Sequence, residues 1–464
     1  MLIESSLPER ESLDISKNLL KIDVMVSHRK DFPALQQERN GKPPIYLDNA
    51  CMTLKPSRVI KAIEEYYLYY PACGGRSNHW FAKKVDEEVE KAREKVKSFI
   101  NAKKPEEIVF TKNTTESINL IAYGIDWDRE DVVLTTDKEH NSNLCPWQEL
   151  KEKRMIRKHI AIPSAPDNTF DYDKFLEILK EEGKRVRLVS LAHVSNLDGT
   201  FIKDEVIIEI QKRLKEVNPK SLLLLDSAQA VPHRGVDVQK LGVDLLVFSI
   251  HKMCGPTGVG VLYGREDVLK ELKPFITGGG TIIDTFPSSP PLYQPAPLKF
   301  EAGLQNYAGI IGAGEAVSYL QEIGMERIKN YEIELNSYLT EKILEFDEVE
   351  IVGPKEPEHR SGILSFFLRK PCTRLSDDDP DIDEKLSEKW NIMIRKGSFC
   401  VNAWYHSQEE KWDSIWPGFR PTMFRVSLYL YNTEEECDCF IKGLKEVLAS
   451  LRNFPTLPKR ELWK

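Results

Sequence analysis

Between residues 107 and 262 the chain alternates short apolar runs with longer amphipathic stretches. Glu107-Ile108-Val109-Phe110, Val132-Val133-Leu134-Thr135, Arg187-Leu188-Val189-Ser190-Leu191 and Ser221-Leu222-Leu223-Leu224-Leu225 are almost without polar positions. Tyr172 to Glu182 and Asp204 to Val217, lying between them, space their apolar residues as a helix does. Strands buried on both faces and separated by helices predict a large α/β domain around a mostly parallel sheet. Upstream, residues 1–44 are polar, with a turn at Asn40-Gly41-Lys42-Pro43-Pro44; Ile45 to Ala50 reads as a short strand entering a loop, and Pro56 to Tyr70 as a helix. From Lys83 to Ile100, Val85, Val89, Ala92, Val96 and Phe99 share one helix face.

After Gly264 the pattern changes. Gly278-Gly279-Gly280 and the proline-rich Ser288 to Pro297 read as loops. Helices follow over Tyr307 to Ile323 and Met325 to Phe346, strands over Val349 to Val352, Gly362 to Phe367 and Pro421 to Leu430, and a last helix over Glu434 to Leu451. The expected organisation is an N-terminal segment, 1–44, packing on the small domain; a large domain, 45–306; and a smaller α+β domain, 307–464. Asp377 to Asp383 reads as a solvated loop.

In parallel α/β sheets, ligands sit beyond the carboxyl ends of the strands. That rule selects Thr114 and Thr115, His140, Asn196, Asp226 and Lys252. Thr114 and Thr115 open a helix, where free N–H groups and hydroxyls suit a phosphate, or where one threonine simply caps the helix. Asp226 ends a buried strand and needs a cationic partner, such as a protonated pyridine nitrogen or a salt-bridging side chain. Gln229 stands three residues on, placed to meet a ring substituent. His140 offers an aromatic face. Lys252 lies in Phe248-Ser249-Ile250-His251-Lys252-Met253-Cys254-Gly255-Pro256-Thr257-Gly258, between two apolar runs. A lysine on a glycine-rich turn is ordinarily a surface residue. An amine attacks only when neutral, and its usual pKa of about 10.4 falls on burial. Phosphate donors, a pyridinium carboxylate, a stacking histidine and a Schiff-base lysine together are what pyridoxal phosphate requires, with Ser249 and His251 flanking the lysine as further phosphate ligands.

Composition narrows the class. The 464 residues are 41% hydrophobic and 30% charged, with a net charge of −8 and no basic stripe, which argues against a nucleic-acid partner. No run is long enough for a membrane span, and Met1 to Arg10 has no apolar core, so a cytoplasmic protein is expected. The eight cysteines contain no C-x-x-C and form no disulfide framework, and the nine histidines show no metal-ligand spacing with them.

These stretches resemble the class V (fold type I) pyridoxal-phosphate enzymes, and within them the group II, SufS-type cysteine desulfurases. The resemblance runs from about Asp31 to about Leu451. It is carried by Tyr46-Leu47-Asp48-Asn49-Ala50, Asn113-Thr114-Thr115-Glu116-Ser117, Glu139-His140-Asn141-Ser142-Asn143, His193-Val194-Ser195-Asn196, Asp226-Ser227-Ala228-Gln229, the Lys252 stretch and Phe300-Glu301-Ala302-Gly303. Thr257 stands where group I enzymes typically carry a lysine. The resemblance implies that Lys252 is the Schiff-base lysine, Asp226 the pyridinium partner and His140 the stacking group. It makes Thr114, Thr115, Ser249 and His251 phosphate ligands, with Asn196 and Gln229 on the ring. Arg395-Lys396-Gly397-Ser398-Phe399-Cys400 is similar to the family's R-x-G-x-x-C loop, whose cysteine takes the sulfur, and Arg425 matches the arginine that grips the substrate carboxylate. Arg76 and His79 match an entrance segment. The implied protein is a homodimer that converts L-cysteine to L-alanine and passes sulfur to an acceptor or scaffold protein. The alternatives are a selenocysteine lyase, an aminotransferase, an epimerase or a non-catalytic pyridoxal-phosphate scaffold.

The sequence departs from the family at three places. Leu304 replaces the threonine of Glu-Ala-Gly-Thr, whose hydroxyl reaches the partner subunit's phosphate; the Ala-x-Pro after the cysteine is missing; and the stretch from Cys400 to Arg425 is longer than usual, with Trp404, Trp412 and Trp416. That insert is expected to shape substrate access or acceptor docking.

Overall fold

The computed structural model describes residues 28–369, 382–415, 417 and 422–450. Trp416 and most of Asp377 to Asp383 lie outside these residues. The apolar runs form one seven-stranded sheet: β2 (Ile108–Thr111), β3 (Val132–Thr136), β4 (Lys158–Ile162), β5 (Val186–Ala192), β6 (Leu222–Asp226), β7 (Leu245–Ser249) and β8 (Gly260–Gly264), with Ile45–Tyr46 as β1 outside it. Their spatial order is β2-β8-β7-β6-β5-β3-β4. Strands β4, β3, β5, β6 and β7 run parallel. The sheet reverses at β8, antiparallel to both β7 and β2. The tight turn after Lys252 dictates this, because a parallel return needs a long crossover. Every residue of β3, β6, β7 and β8 is buried.

Two glycines permit the reversal. A Cβ on Gly260 would lie 2.5 Å from Cα of Asn113, the N-cap of the helix Thr114–Gly124, and one on Gly255 would lie 2.2 Å from a methyl of Ile250. A side chain at 260 would push β8 away from that helix N-terminus, and one at 255 would collide with the turn at Ile250.

The proline-rich segment read as loop contains a hairpin, β9 (Ile282–Phe286) and β10 (Ser289–Tyr293), paired antiparallel. Pro290 and Pro291 are tolerated because the two strands form a sheet by themselves, so each has an outer edge. A four-stranded antiparallel sheet is built from β11 (Val349–Ile351), β12 (Ile363–Leu368), β14 (Arg395–Lys396) and β15 (Met423–Ser427), in the order β11-β12-β15-β14. A further short strand, β13 (Ile392–Met393), pairs in parallel with β1. The described part of the N-terminal segment lies beside it: Arg29 forms an ion pair with Glu436 at 2.7 Å, and the Phe32 ring packs 4.5 Å from that of Tyr431.

Glu301 joins the helix Trp80–Phe99 to the first strand of the large sheet. Its carboxylate accepts two bonds from the Arg93 guanidinium, at 2.8 and 3.0 Å, and one from the Phe110 N–H, all buried. Removing one partner strands a buried charge. Arg93→Met should therefore lower unfolding stability by about 3–5 kcal/mol, and adding Glu301→Gln should restore part of the loss. Urea titration of the two variants checks this.

Candidate active site

The carboxyl ends of β5, β6 and β7 are brought level by their register, with Ala192 beside Asp226 and Asp226 beside Val247. Beyond them opens a cavity of about 220 Å³. Thr114, Thr115, His140, Asn196, Asp226, Gln229, Ser249, His251, Lys252, Arg395, Cys400 and Arg425 all line it. His79 does not. It caps the helix Trp80–Phe99, its Nδ1 accepting the Ala82 N–H at 3.3 Å.

Lys252 closes the short turn Ile250–Lys252 after β7. Burial lowers its pKa, Asp226 opposes that shift, and Arg425 adds to it. Asp226 is driven the other way, upward, by burial; the Ala228 N–H, at 3.0 Å, and the Lys252 charge pull it back. A carboxylate so placed calls for a further cation. Thr114 N–H and Oγ1 meet Ser249 Oγ at 2.9 and 2.6 Å, at the N-terminus of an eleven-residue helix. These donors and the helix dipole suit an anion.

His140 stands over the same space. Its Nδ1 accepts the Ser142 N–H at 3.1 Å, which leaves the proton of the neutral ring on Nε2. Burial and then the charges of Lys252, Arg395 and Arg425 lower its pKa to about 4. His251 is also lowered to about 4, by burial and then Lys252 and Lys55. Both rings are flat, uncharged surfaces at neutral pH.

The opposite wall comes from the small sheet. Arg395 and Arg425 are register partners on β14 and β15. Arg425 is buried: Nη1 donates to the Asn196 carbonyl at 2.9 Å, Nη2 to Asp48 at 3.1 Å, and its guanidinium lies 4.7 Å from the Phe399 ring centre. Its Nε has no partner. Two guanidinium groups at one wall can hold a carboxylate.

Cys400 sits in a tight turn in which Gly397, Phe399 and Cys400 have φ of 114°, 53° and 61°. The large sheet's loops hold this turn down. Asn141 N–H donates to the Cys400 carbonyl and Asn196 Nδ2 to the Phe399 carbonyl, each at 2.7 Å. The Asn196 amide is thus committed to the cysteine loop. The tryptophan insert folds inward: Asn402–Ser407 and Glu409–Ile415 are helices, and Trp404 and Trp412 are fully buried with Leu197, Phe367, Phe399 and Met423. Any effect of the insert on access to the site therefore comes from its packing behind Cys400 and not from exposed Trp404 or Trp412 rings. Trp404 Nε1 donates to Asn168 at 2.8 Å, and Asn168 with Asp198 and Thr200 surrounds the buried Lys138 ammonium. One buried cation thus ties the His140 loop to the segment behind Cys400.

Two features escape a reading by motif. Cys51 lines the cavity, and Arg395 Nη1 donates to its Sγ at 2.8 Å. The residue follows the Asp48-Asn49-Ala50 stretch directly, so position was the available signal. Cys254, two residues after Lys252, is fully buried and is not among the residues lining the cavity, and burial pushes its thiol up to about 12.

The aminotransferase class-V model matches residues 45–440. A probable cysteine desulfurase of Streptomyces coelicolor is 38% identical over 435 residues, covering 92% of this chain and 96% of its own. A cysteine desulfurase of Salmonella typhimurium is 35% identical, covering 90% and 97%. Among solved structures, the apo cysteine desulfurase of Thermococcus onnurineus superimposes with a TM-score of 0.79 at 34% identity, covering 92% of this chain and 98% of that one. The cysteine desulfurase CsdA of Escherichia coli, in an S-sulfonic acid form, gives 0.78 at 27% identity, with 92% and 99% covered. This chain belongs to the class-V aminotransferases, a family of pyridoxal-phosphate enzymes, and within it to the cysteine desulfurases.

Two predictions follow from the site's construction. In a ring-proton titration of the protein, His140 should have its midpoint near 4, not near the ordinary value of about 6.5. Because its neutral form is the folded one, its contribution to stability is complete above about 6.5 and is lost as the pH falls towards the folded value. Trp404→Phe keeps a ring but removes the bond to Asn168. It should cost about 1–2 kcal/mol in urea unfolding and should speed iodoacetamide labelling of Cys400.

Proposed function

We propose that the protein is a group II cysteine desulfurase, converting L-cysteine to L-alanine with the sulfur passing to Cys400. The observation that carries this is the convergence on one cavity of Lys252 and Asp226 from the large sheet with Arg395, Cys400 and Arg425 from the small sheet and its loop. Residues 45–306 would form the cofactor domain, residues 307–464 the domain bearing the cysteine, and residues 1–44 a segment packed on the latter.

The residues fit pyridoxal phosphate. Asp226 would hold the ring nitrogen, Thr114, Thr115, Ser249 and His251 the phosphate, Gln229 a ring substituent, and His140 the ring face. Gln229 has a buried Oε1 without a partner, its Nε2 donating to the Ala50 carbonyl at 2.6 Å. When bound, the cofactor draws electrons from the substrate α-carbon. Arg425, with Arg395, orients the substrate by its carboxylate. Lys252 Nζ, held towards its neutral form by burial, takes the α-proton. Cys400 Sγ then attacks the substrate sulfur, and alanine leaves.

Exposed apolar residues support a homodimer. Leu304 is 65% exposed and rims a second cavity with Phe275 and Ile276. Leu304 brings no hydroxyl for a partner subunit's phosphate, so apolar contact is the role left to it. A cytoplasmic setting is favoured by the seven described cysteines, all unpaired. Among the described residues no helix is long and apolar enough to cross a membrane. A sulfur-acceptor or scaffold protein completes the proposed cycle.

Cofactor-loaded protein given L-cysteine and a thiol reductant should form alanine and sulfide. Cys400→Ser should lower that rate by about 10²-fold or more, as loss of a nucleophile does, while still releasing selenide from selenocysteine. Unchanged sulfide release by Cys400→Ser would overturn the assignment of Cys400.

A further inference from the structure

We propose that Cys51 is a second sulfur carrier of this site, taking the outer sulfur from Cys400; the proposal rests on the reading of Cys400 as first acceptor. Cys51 and Cys400 line the same cavity. On the N-terminal side of Cys51, Asn49 Nδ2 donates to the Ser427 carbonyl at 2.7 Å, and Ala50 N–H to Ser427 Oγ at 2.9 Å. Gln229 Nε2 binds the Ala50 carbonyl at 2.6 Å. The backbone is thus fixed between the two sheets, and Cys51 is set in the wall of the cavity that Cys400 also lines.

The Cys400 loop itself touches this thiol. Arg395 directs Nη1 at Cys51 Sγ, 2.8 Å away. The turn from Arg395 to Cys400 doubles back through Gly397, Phe399 and Cys400, all at positive φ. One end of the turn therefore grips Cys51 while the other carries Cys400, around a space of about 220 Å³. Arg425 and Gln229, two further residues around that cavity, each keep a buried polar atom without a partner, Nε and Oε1. The other described thiols are not in that wall.

The exchange balances without an outside reagent. Cys51 thiolate attacks the outer sulfur of the Cys400 persulfide. A bond forms between Cys51 Sγ and that sulfur, and the bond from that sulfur to Cys400 Sγ breaks. The electron pair leaves on Cys400, which takes up a proton equivalent to the one Cys51 gave up. Nothing is oxidised or reduced overall. Cys400 is free for another substrate while the first sulfur waits on Cys51.

The test uses cofactor-loaded protein with L-cysteine and no reductant, quenched by alkylation at successive times and mapped by peptide mass spectrometry. Added sulfur should appear first on the Cys400 peptide and later on the Cys51 peptide. Cys51→Ala should carry it on Cys400 alone, and Cys400→Ser on neither; retained cofactor colour shows that each variant is folded. Alanine formation with sulfur confined to Cys400 in the unmodified protein overturns the relay and leaves the desulfurase reading intact. Sulfur on Cys51 in Cys400→Ser also overturns it, since Cys51 would then take sulfur directly. Absence of alanine overturns the desulfurase reading on which the relay rests.

Discussion

A buried carboxylate and a buried amine at the ends of adjacent parallel strands set the terms for this molecule. Asp226 and Lys252 are shifted in opposite directions by the same cause, loss of water, and each opposes the other's shift. Removing charge from water is costly, and a single distant partner does not offset that cost. The arrangement makes sense if a cationic ligand group is held by Asp226. The sheet exists to hold both residues: all residues of β6 and β7 are buried, and the reversal at β8 brings the turn containing Lys252 back against the N-terminus of the helix that starts at Thr114.

That half of the site defines a cofactor and leaves the reaction open. The second half comes from the small sheet, through the register pair Arg395 and Arg425 and the strained turn at Cys400. A turn with consecutive non-glycine residues at positive φ persists only when its surroundings enforce it. Here Asn141, Asn196 and the buried Trp404 do so, and the Lys138 ammonium joins their supports. Reactivity at Cys400 is therefore tied to the packing between the two sheets.

Much of this was legible in the chain. Wholly apolar runs such as Leu222 to Leu225 announce a doubly covered sheet, and the polar residues closing those runs fall on one edge of it. Other parts were hidden for physical reasons. Strand β4, Lys158–Ile162, is an edge strand with exposed positions, so it lacks an apolar run. The hairpin at β9 and β10 carries prolines that normally signal a loop. The burial of Trp404 and Trp412 was hidden because composition does not tell which way a ring points. Cys51 has only its position after Ala50 to mark it in the sequence, because a single thiol has no pattern; the contact with Arg395 is what distinguishes it.

The central claim is that Lys252 is the residue to which the cofactor is joined. Loading the protein with pyridoxal phosphate, reducing with borohydride and mapping the peptides tests it most directly. The account predicts the added cofactor mass on the peptide containing Lys252, and on no peptide when Lys252 is replaced by alanine. Mass on the peptide of Lys55 or Lys138, or on none in the unmodified protein, would contradict it.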